Sequence, residues 1–313
     1  MKQIVPKFIN TMSRKKREGL ILFLMALPFL LLSFTFTYFP LYGWIYAFYN
    51  FRPPQTLASA EFVGLEWFRS LVENPIRVQQ IVRVLRNTFA MSGLGIALSW
   101  VPVAFAMLLS EMRFNGVKKS IQVLSTLPHY ISWVLVFSMA FAMFSHDGMV
   151  NNFLMSLGFI DSPIMFLQME TRVWSTMALW NLWKGLGWGA IIYLAAISGI
   201  DQEMYEAARV DGASRFRLAW HITIPGIIPT YTVLLLLAVA NFLNIGFEQY
   251  FLFSNPFNMN AIEVLDLYVY NLSFGGRAFS LATAVSMLRS IISVIMLFSV
   301  NYLSKFLRGE TII

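Results

Sequence analysis

Six runs of apolar residues, at about 20–49, 85–110, 120–144, 173–200, 228–254 and 279–304, dominate the chain. At about 1.5 Å of rise per helical residue, each can cross the roughly 30 Å of hydrocarbon in a bilayer. A backbone inside hydrocarbon must satisfy its own polar groups, so runs of this kind fold as helices. The expected fold is an all-α membrane protein with six transmembrane helices, one domain over residues 20–313 behind a short segment 1–19. Composition agrees with it. Of 313 residues, 58% are apolar and 12% charged, and the mean hydropathy is +0.63, whereas soluble domains carry about a quarter charged residues.

Charge orients the helices. Lys2, Lys7, Arg14, Lys15, Lys16 and Arg17 precede the first run, which places the N-terminus in the cytoplasm. Six crossings return the C-terminus, with Lys305 and Arg308, to the same side, along with the loops at 111–119 and 201–227. Fourteen of the 23 Lys and Arg residues then lie inside and seven outside, five of those between residues 50 and 86. That outer segment carries Asn74-Pro75 and IRVQQIVRVLRN, the pattern of a short interfacial helix leading into the second span. The net charge of +7 sits in short segments beside apolar runs, which is orientation in a bilayer and not nucleic-acid binding. The first run is about 30 residues long and its nearest Ala-x-Ala, Ala58 to Ala60, is far downstream, so the run is expected to remain as a membrane helix. The chain has no cysteine, hence no disulfide or thiolate chemistry.

One long polar stretch interrupts the runs: EAARVDGASRFRLAWHITIP, Glu206 to Pro225. It opens on good helix formers (Glu206, Ala207, Ala208), meets Gly212, where a helix can stop or bend, resumes at Ser214 and ends at Pro225. This is a helix, a turn and a helix, with little bulk on the first helix to keep another protein's surface away.

Three ionisable residues fall within the runs: Lys184, Glu248 and Arg289. Each is costly against lipid, so each is expected to face the bundle interior, a partner or a wet cavity, and their depths allow all three to meet in one layer. Asn241, Asn244 and Glu248 fall at i, i+3 and i+7, one face of a helical fifth span. Trp180, Asn181, Trp183, Lys184 and Trp188 crowd into two turns of the fourth. Trp rings beside amides and a carboxylate suit the C–H faces and hydroxyl edges of sugars, and they equally suit helix packing and interfacial anchoring. Pro28, Pro40, Pro102 and Pro128 allow kinks, His129 reads as structural, and Gly93, Gly95, Gly185, Gly187 and Gly189 allow close helix contact. There is no phosphate loop, H-E-x-x-H zinc pattern or nucleophile elbow, so neither catalytic nor metal-ligating residues are expected.

The spacing Glu206-Ala207-Ala208, Gly212, Ile222, Pro225 resembles the EAA loop of permease subunits of binding-protein-dependent ABC importers, with Ile224 where the family has leucine. FVGLEWF (Phe62 to Phe68), Asn87-Thr88, LPHYISW (Leu127 to Trp133) and YEAARVDGAS (Tyr205 to Ser214) resemble the carbohydrate-type permeases, in particular the LplB-like branch of polysaccharide and oligosaccharide importers. The resemblance implies a type I ABC importer permease fold in a bacterial cell membrane, forming half of a translocation pore. It implies four kinds of partner: a homologous second permease, two cytoplasmic ATPase subunits, an extracellular, often lipid-anchored, solute-binding protein and an oligosaccharide substrate. ATP and Mg would be used by the ATPase, with no cofactor on this chain. Glu206, Ala207, Ala208, Asp211, Gly212, Ile222 and Pro225 would form the ATPase-coupling element. An importer of another solute such as glycerol phosphate, an ion-coupled carrier using Lys184, Glu248 and Arg289, and a membrane-embedded glycan-handling enzyme are the competing readings.

Overall fold

The computed structural model describes residues 14–308; Lys2 and Lys7 of the N-terminal segment lie outside the described residues. Helix α1 (Arg14–Tyr38) tightens into 3-10 turns over Phe39–Phe48, with Pro40 in their first turn. A short hairpin follows, β1 (Tyr49–Asn50) antiparallel to β2 (Glu61–Phe62), with Tyr49 opposite Phe62. After α2 (Glu66–Glu73), the side chain of Asn74 accepts from the N–H groups of Ile76 and Arg77 and starts α3 (Pro75–Ala97). A cap with proline at the first helical position is a strong start signal. The interfacial helix expected before residue 85 is therefore the first half of one continuous helix, which α4 (Trp100–Ser110) extends beyond a two-residue break.

The apolar run at 120–144 is broken, and the stretch long enough to cross begins at its break, Trp133–Ser156. α5 (Asn115–Tyr130) and α6 (Trp133–Phe144) are separated by extended Ile131 and Ser132, the latter capping α6 through the N–H of Leu135. Pro128, in the last turn of α5, withholds a backbone donor where the rod ends. After α7 (Met149–Ser156), α8 (Val173–Ser198) runs unbroken as the fourth span, and α9 (Gln202–Val210) leaves it at 71°. α10 (Arg215–Leu218), a π turn at Ala219–Thr223 and α11 (Ile224–Ala240) form one rod. The second helix of the polar stretch thus does not end at Pro225. A proline in the first turn of α11 needs no N–H, and the wider turn ahead of it accommodates the ring.

The fifth span ends at Ala240, well short of residue 254. The chain is non-helical from Asn241 to Phe247 and turns at Gly246, φ +81°, before α12 (Glu248–Phe253). α13 (Met259–Ile262), α14 (Leu265–Tyr270) and a π turn at Asn271–Gly275 lead to α15 (Phe279–Arg308). Five stretches are long and apolar enough to cross a membrane alone, and up to six if the bent pair is counted, of which α8 carries the apolar residues and α9 (QEMYEAARV) is polar. α8 is the hub: α3, α4, α5 and α11 all pack on it. Ala106, Ala190, Tyr193, Ile197 and Ile227 form its core near the polar loop, and Met91, Ala140, Met177, Phe253 and Ile262 the core at the other end.

Candidate functional site

The polar loop holds α9 out as a short projecting element. Asp201 starts it by accepting from the N–H of Glu203 at 2.9 Å. At its far end Gly212 has φ +75°, the N–H of Ala213 donates to the Ala208 carbonyl at 2.9 Å, and that of Gly212 to the Arg209 carbonyl at 3.1 Å. These two bonds satisfy the last carbonyls of the helix and need a left-handed residue at 212, where a side chain is strained. Ser214 starts the next helix through the N–H of Arg217. Glu206, Ala207, Asp211, Gly212 and Pro225 are exposed, and Ala208 and Ile222 half-buried. Val210, at the tip, is 87% exposed, an apolar side chain that meets nothing in its own chain.

What fastens α9 escaped sequence reasoning. The buried Tyr205 hydroxyl lies 3.0 Å from that of Thr223, in the π turn at the root of the fifth span. Ile200, just before α9, fills the space where a Cβ on Gly226 would stand, 2.5 Å from its Cδ1. Both sides of the element are thus locked to the base of α11. Tyr205 sits in the family-like pattern, but nothing in sequence names a hydroxyl partner 18 positions on.

Among the described residues the three intramembrane ionisable residues form no ion pair with one another, although the Glu248 carboxylate is near enough to act on the charge of Lys184. The Lys184 ammonium donates to the carbonyls of Pro128 (3.1 Å), His129 (2.7 Å) and Ile131 (2.5 Å), filling the break between α5 and α6, and lies 5.5 Å from the Trp133 ring. One turn on, a Cβ at Gly187 would stand 2.3 Å from the carbonyl of Ser125, and His129 stacks on Trp188 at 4.6 Å. LPHYISW is therefore a helix break gripped by one face of α8. Arg289 instead pairs with Asp266 of α14, whose other oxygen accepts from the N–H of Gly246 at 3.1 Å. Asp266 so ties the broken fifth span to the sixth. Glu248 is exposed at the start of α12.

Asn241, Asn244 and Glu248 do not lie along one helix, because the helix ends before them. Asn241 folds back onto the Leu237 carbonyl and Asn244 reaches Ser293 of α15 at 3.3 Å. Asn181 lines a cleft of about 190 Å³ with Ser99, Pro102 and Tyr250, whereas Trp180 and Trp183 line a separate cleft of about 460 Å³, walled by Met139, Met143, Phe144 and Phe166. The second is almost wholly apolar, which suits an acyl chain or a packed helix better than a hydroxylated ligand. Asn87 and Thr88, both fully buried, clamp the segment after α12: Asn87 donates to the carbonyls of Asn260 and Glu263, and Thr88 accepts from the N–H of Leu265. Arg83 pairs with Glu263 beside them at 2.6 Å.

Residues 101–309 match the family described as binding-protein-dependent transport system inner membrane component. The chain is 38% identical to the protein LplB of Bacillus subtilis (strain 168), over 96% of this chain and 92% of that one. It is 36% identical to the polygalacturonan/rhamnogalacturonan transport system permease protein YteP of the same organism, over 91% and 87%. Among solved structures it superposes on a chain of a bacterial ABC transporter involved in the import of the acidic polysaccharide alginate, with a TM-score of 0.82, 29% identity and coverage of 94% of this chain and 98% of that one. A second structure of the alginate transporter, in complex with its pentasaccharide-bound periplasmic protein, superposes at 0.83 with 29% identity, covering 95% and 98%.

Proposed function

The chain belongs to the binding-protein-dependent transport system inner membrane components, a multi-pass permease of the ABC importer class, and we propose from that premise that it forms half of the pore of an importer for complex oligosaccharides. A homologous permease supplies the other half, two ATPase subunits dock from the cytoplasm, and a solute-binding protein delivers the saccharide on the opposite face. The observation that carries this reading is α9, a projecting helix with open Glu206, Ala207 and Val210, fastened through Tyr205 and Thr223 to the root of a membrane span. An ATPase cleft that grips α9 moves α11 with it. Glu206 and Asp211 offer charge to such a cleft, and Ile222 and Pro225 lie where the motion enters the span. The saccharide class rests on the relatives that handle polygalacturonan, rhamnogalacturonan and alginate.

An ion-coupled carrier needs Lys184, Glu248 and Arg289 at one site, whereas Lys184 fills a helix break and Arg289 pairs with Asp266. Reconstitution separates the two. ATP-driven oligosaccharide uptake is expected only when both permeases, the ATPase and the binding protein are present, and the chain alone should hydrolyse no ATP. Ion-gradient-driven uptake into vesicles holding this chain alone would overturn the importer reading.

A further inference from the structure

On the face opposite α9, between β1, the first turn of α3 and the start of α15, lies a pocket of about 440 Å³ whose lining includes Asn50, Arg52, Trp67, Arg77, Arg277 and Ser280. The segments that build it join the first span to the second and the fifth to the sixth, so with six crossings they share the side away from the loop between the fourth and fifth. No Asp or Glu lines it, and none of its three arginines is in an ion pair among the described residues. Three guanidinium groups around one concavity hold an uncompensated positive potential that a nearby anion relieves.

The pocket is built, not incidental. The N–H of Phe51 donates to the Ser280 hydroxyl at 3.0 Å, joining β1 to α15, and the Trp67 indole donates to the Tyr49 carbonyl at 3.1 Å. The Arg77 guanidinium lies 5.6 Å from the centre of the Trp67 ring, which fixes its direction. Arg277 is the sole non-glycine residue with positive φ among the described residues, at +50°, a conformation that costs about 1 kcal/mol or more and is found preferentially at binding sites. The Asn50 side-chain oxygen is sealed from solvent at the pocket wall without a hydrogen-bond partner.

We propose that this pocket binds a carboxylate-bearing sugar, one uronic-acid unit of an incoming oligosaccharide, before it enters the pore; this rests on the oligosaccharide reading above. Guanidinium forks match a carboxylate in two parallel hydrogen bonds. The Trp67 ring in the lining offers a flat apolar face to the C–H groups of a sugar, which an acidic side chain of a docked protein would not use. The test uses the complete transporter in nanodiscs without its binding protein, titrated with a galacturonic acid trisaccharide and with the neutral galactose trisaccharide. The acidic probe should bind, more weakly as salt rises, and Arg52→Gln and Arg277→Gln, both exposed, should each weaken it by about tenfold, while the neutral probe binds far less. Equal binding of both probes, no binding of either, or unchanged affinity in both variants overturns the site. So does a defect confined to docking of the binding protein, which would make the pocket a protein contact. Uptake by the full system is measured in parallel. If saccharide enters while the arginine variants bind as wild type, only the pocket fails; if no saccharide of either kind enters while binding still follows the arginines, the transport reading fails and the pocket stands.

Discussion

The Lys184 ammonium donates to the His129 carbonyl at 2.7 Å and thereby closes a helix end inside the membrane region. Three carbonyls at the end of α5 and in the break behind it depend on this one side chain. Lys184→Met keeps the stem and removes the donor, and each buried polar group left unpaired costs about 1–3 kcal/mol. The purified complex should melt lower, and Lys184→Arg, which keeps donors, should restore part of the loss. If Lys184→Met melts with the wild type and only uptake falls, Lys184 acts on the substrate and is not a cap.

At Gly187 the backbone of α5 lies where a Cβ would stand, whereas Gly185, two residues away, faces open space. Gly187→Ala must push two backbones apart at a fixed contact, a cost of about 1–3 kcal/mol where packing is tight. Gly185→Ala should be close to neutral or slightly stabilising, since alanine favours the helix by about 1 kcal/mol. Thermal melting of the two variants side by side checks this. Equal melting temperatures would mean that the helices do not meet at 187.

That contrast shows where sequence reasoning runs out. Six spans were legible because apolar length is a local property, and so were the two helices around Gly212, because capping residues and a left-handed glycine act on their own neighbours. The end of the fifth span at Ala240 was not: Phe242, Leu243, Ile245 and Phe247 keep the stretch apolar, and apolarity does not distinguish a helix from a chain that turns at Gly246. Partners far along the chain were equally hidden. Lys184 is satisfied by carbonyls 53 to 56 positions away, which every residue possesses, so no side chain marks them. Asp266 was passed over because it falls between apolar runs, although it is the partner that Arg289 requires.

Asp266 and Arg289 form a half-buried pair that also holds the turn at Gly246. Asp266→Asn and Arg289→Gln each leave one half-buried charge unpaired, and losses of about 1–3 kcal/mol are expected for each. The double variant should lose much less than the sum, because no net charge is stranded. A double-mutant cycle on the unfolding of the purified complex measures the coupling, and additive losses would show that the two residues act independently.

The coupling loop gives the sharpest test, because its proposed task is mechanical: closing of the ATPase pair must reach α11 through α9. Such coupling needs contacts whose free energy differs between the inward- and outward-facing states. Gly212 holds a left-handed turn, so Gly212→Val strains it by about 1–2 kcal/mol or lets the end of α9 unwind. Glu206→Lys reverses an exposed charge on the docking face without touching the fold. Tyr205→Phe removes the hydroxyl that grips Thr223 and leaves the ring buried, loosening the link while sparing the docking surface. All three should insert in the membrane normally, since the loop lies outside the apolar spans. Glu206→Lys should weaken co-purification of the ATPase, while Tyr205→Phe should retain the ATPase and lose part of the stimulation of ATP hydrolysis by substrate-loaded binding protein. Gly212→Val should impair both. If all three variants show full ATPase retention, full stimulation and full uptake, α9 is an ordinary connection and the coupling role is wrong.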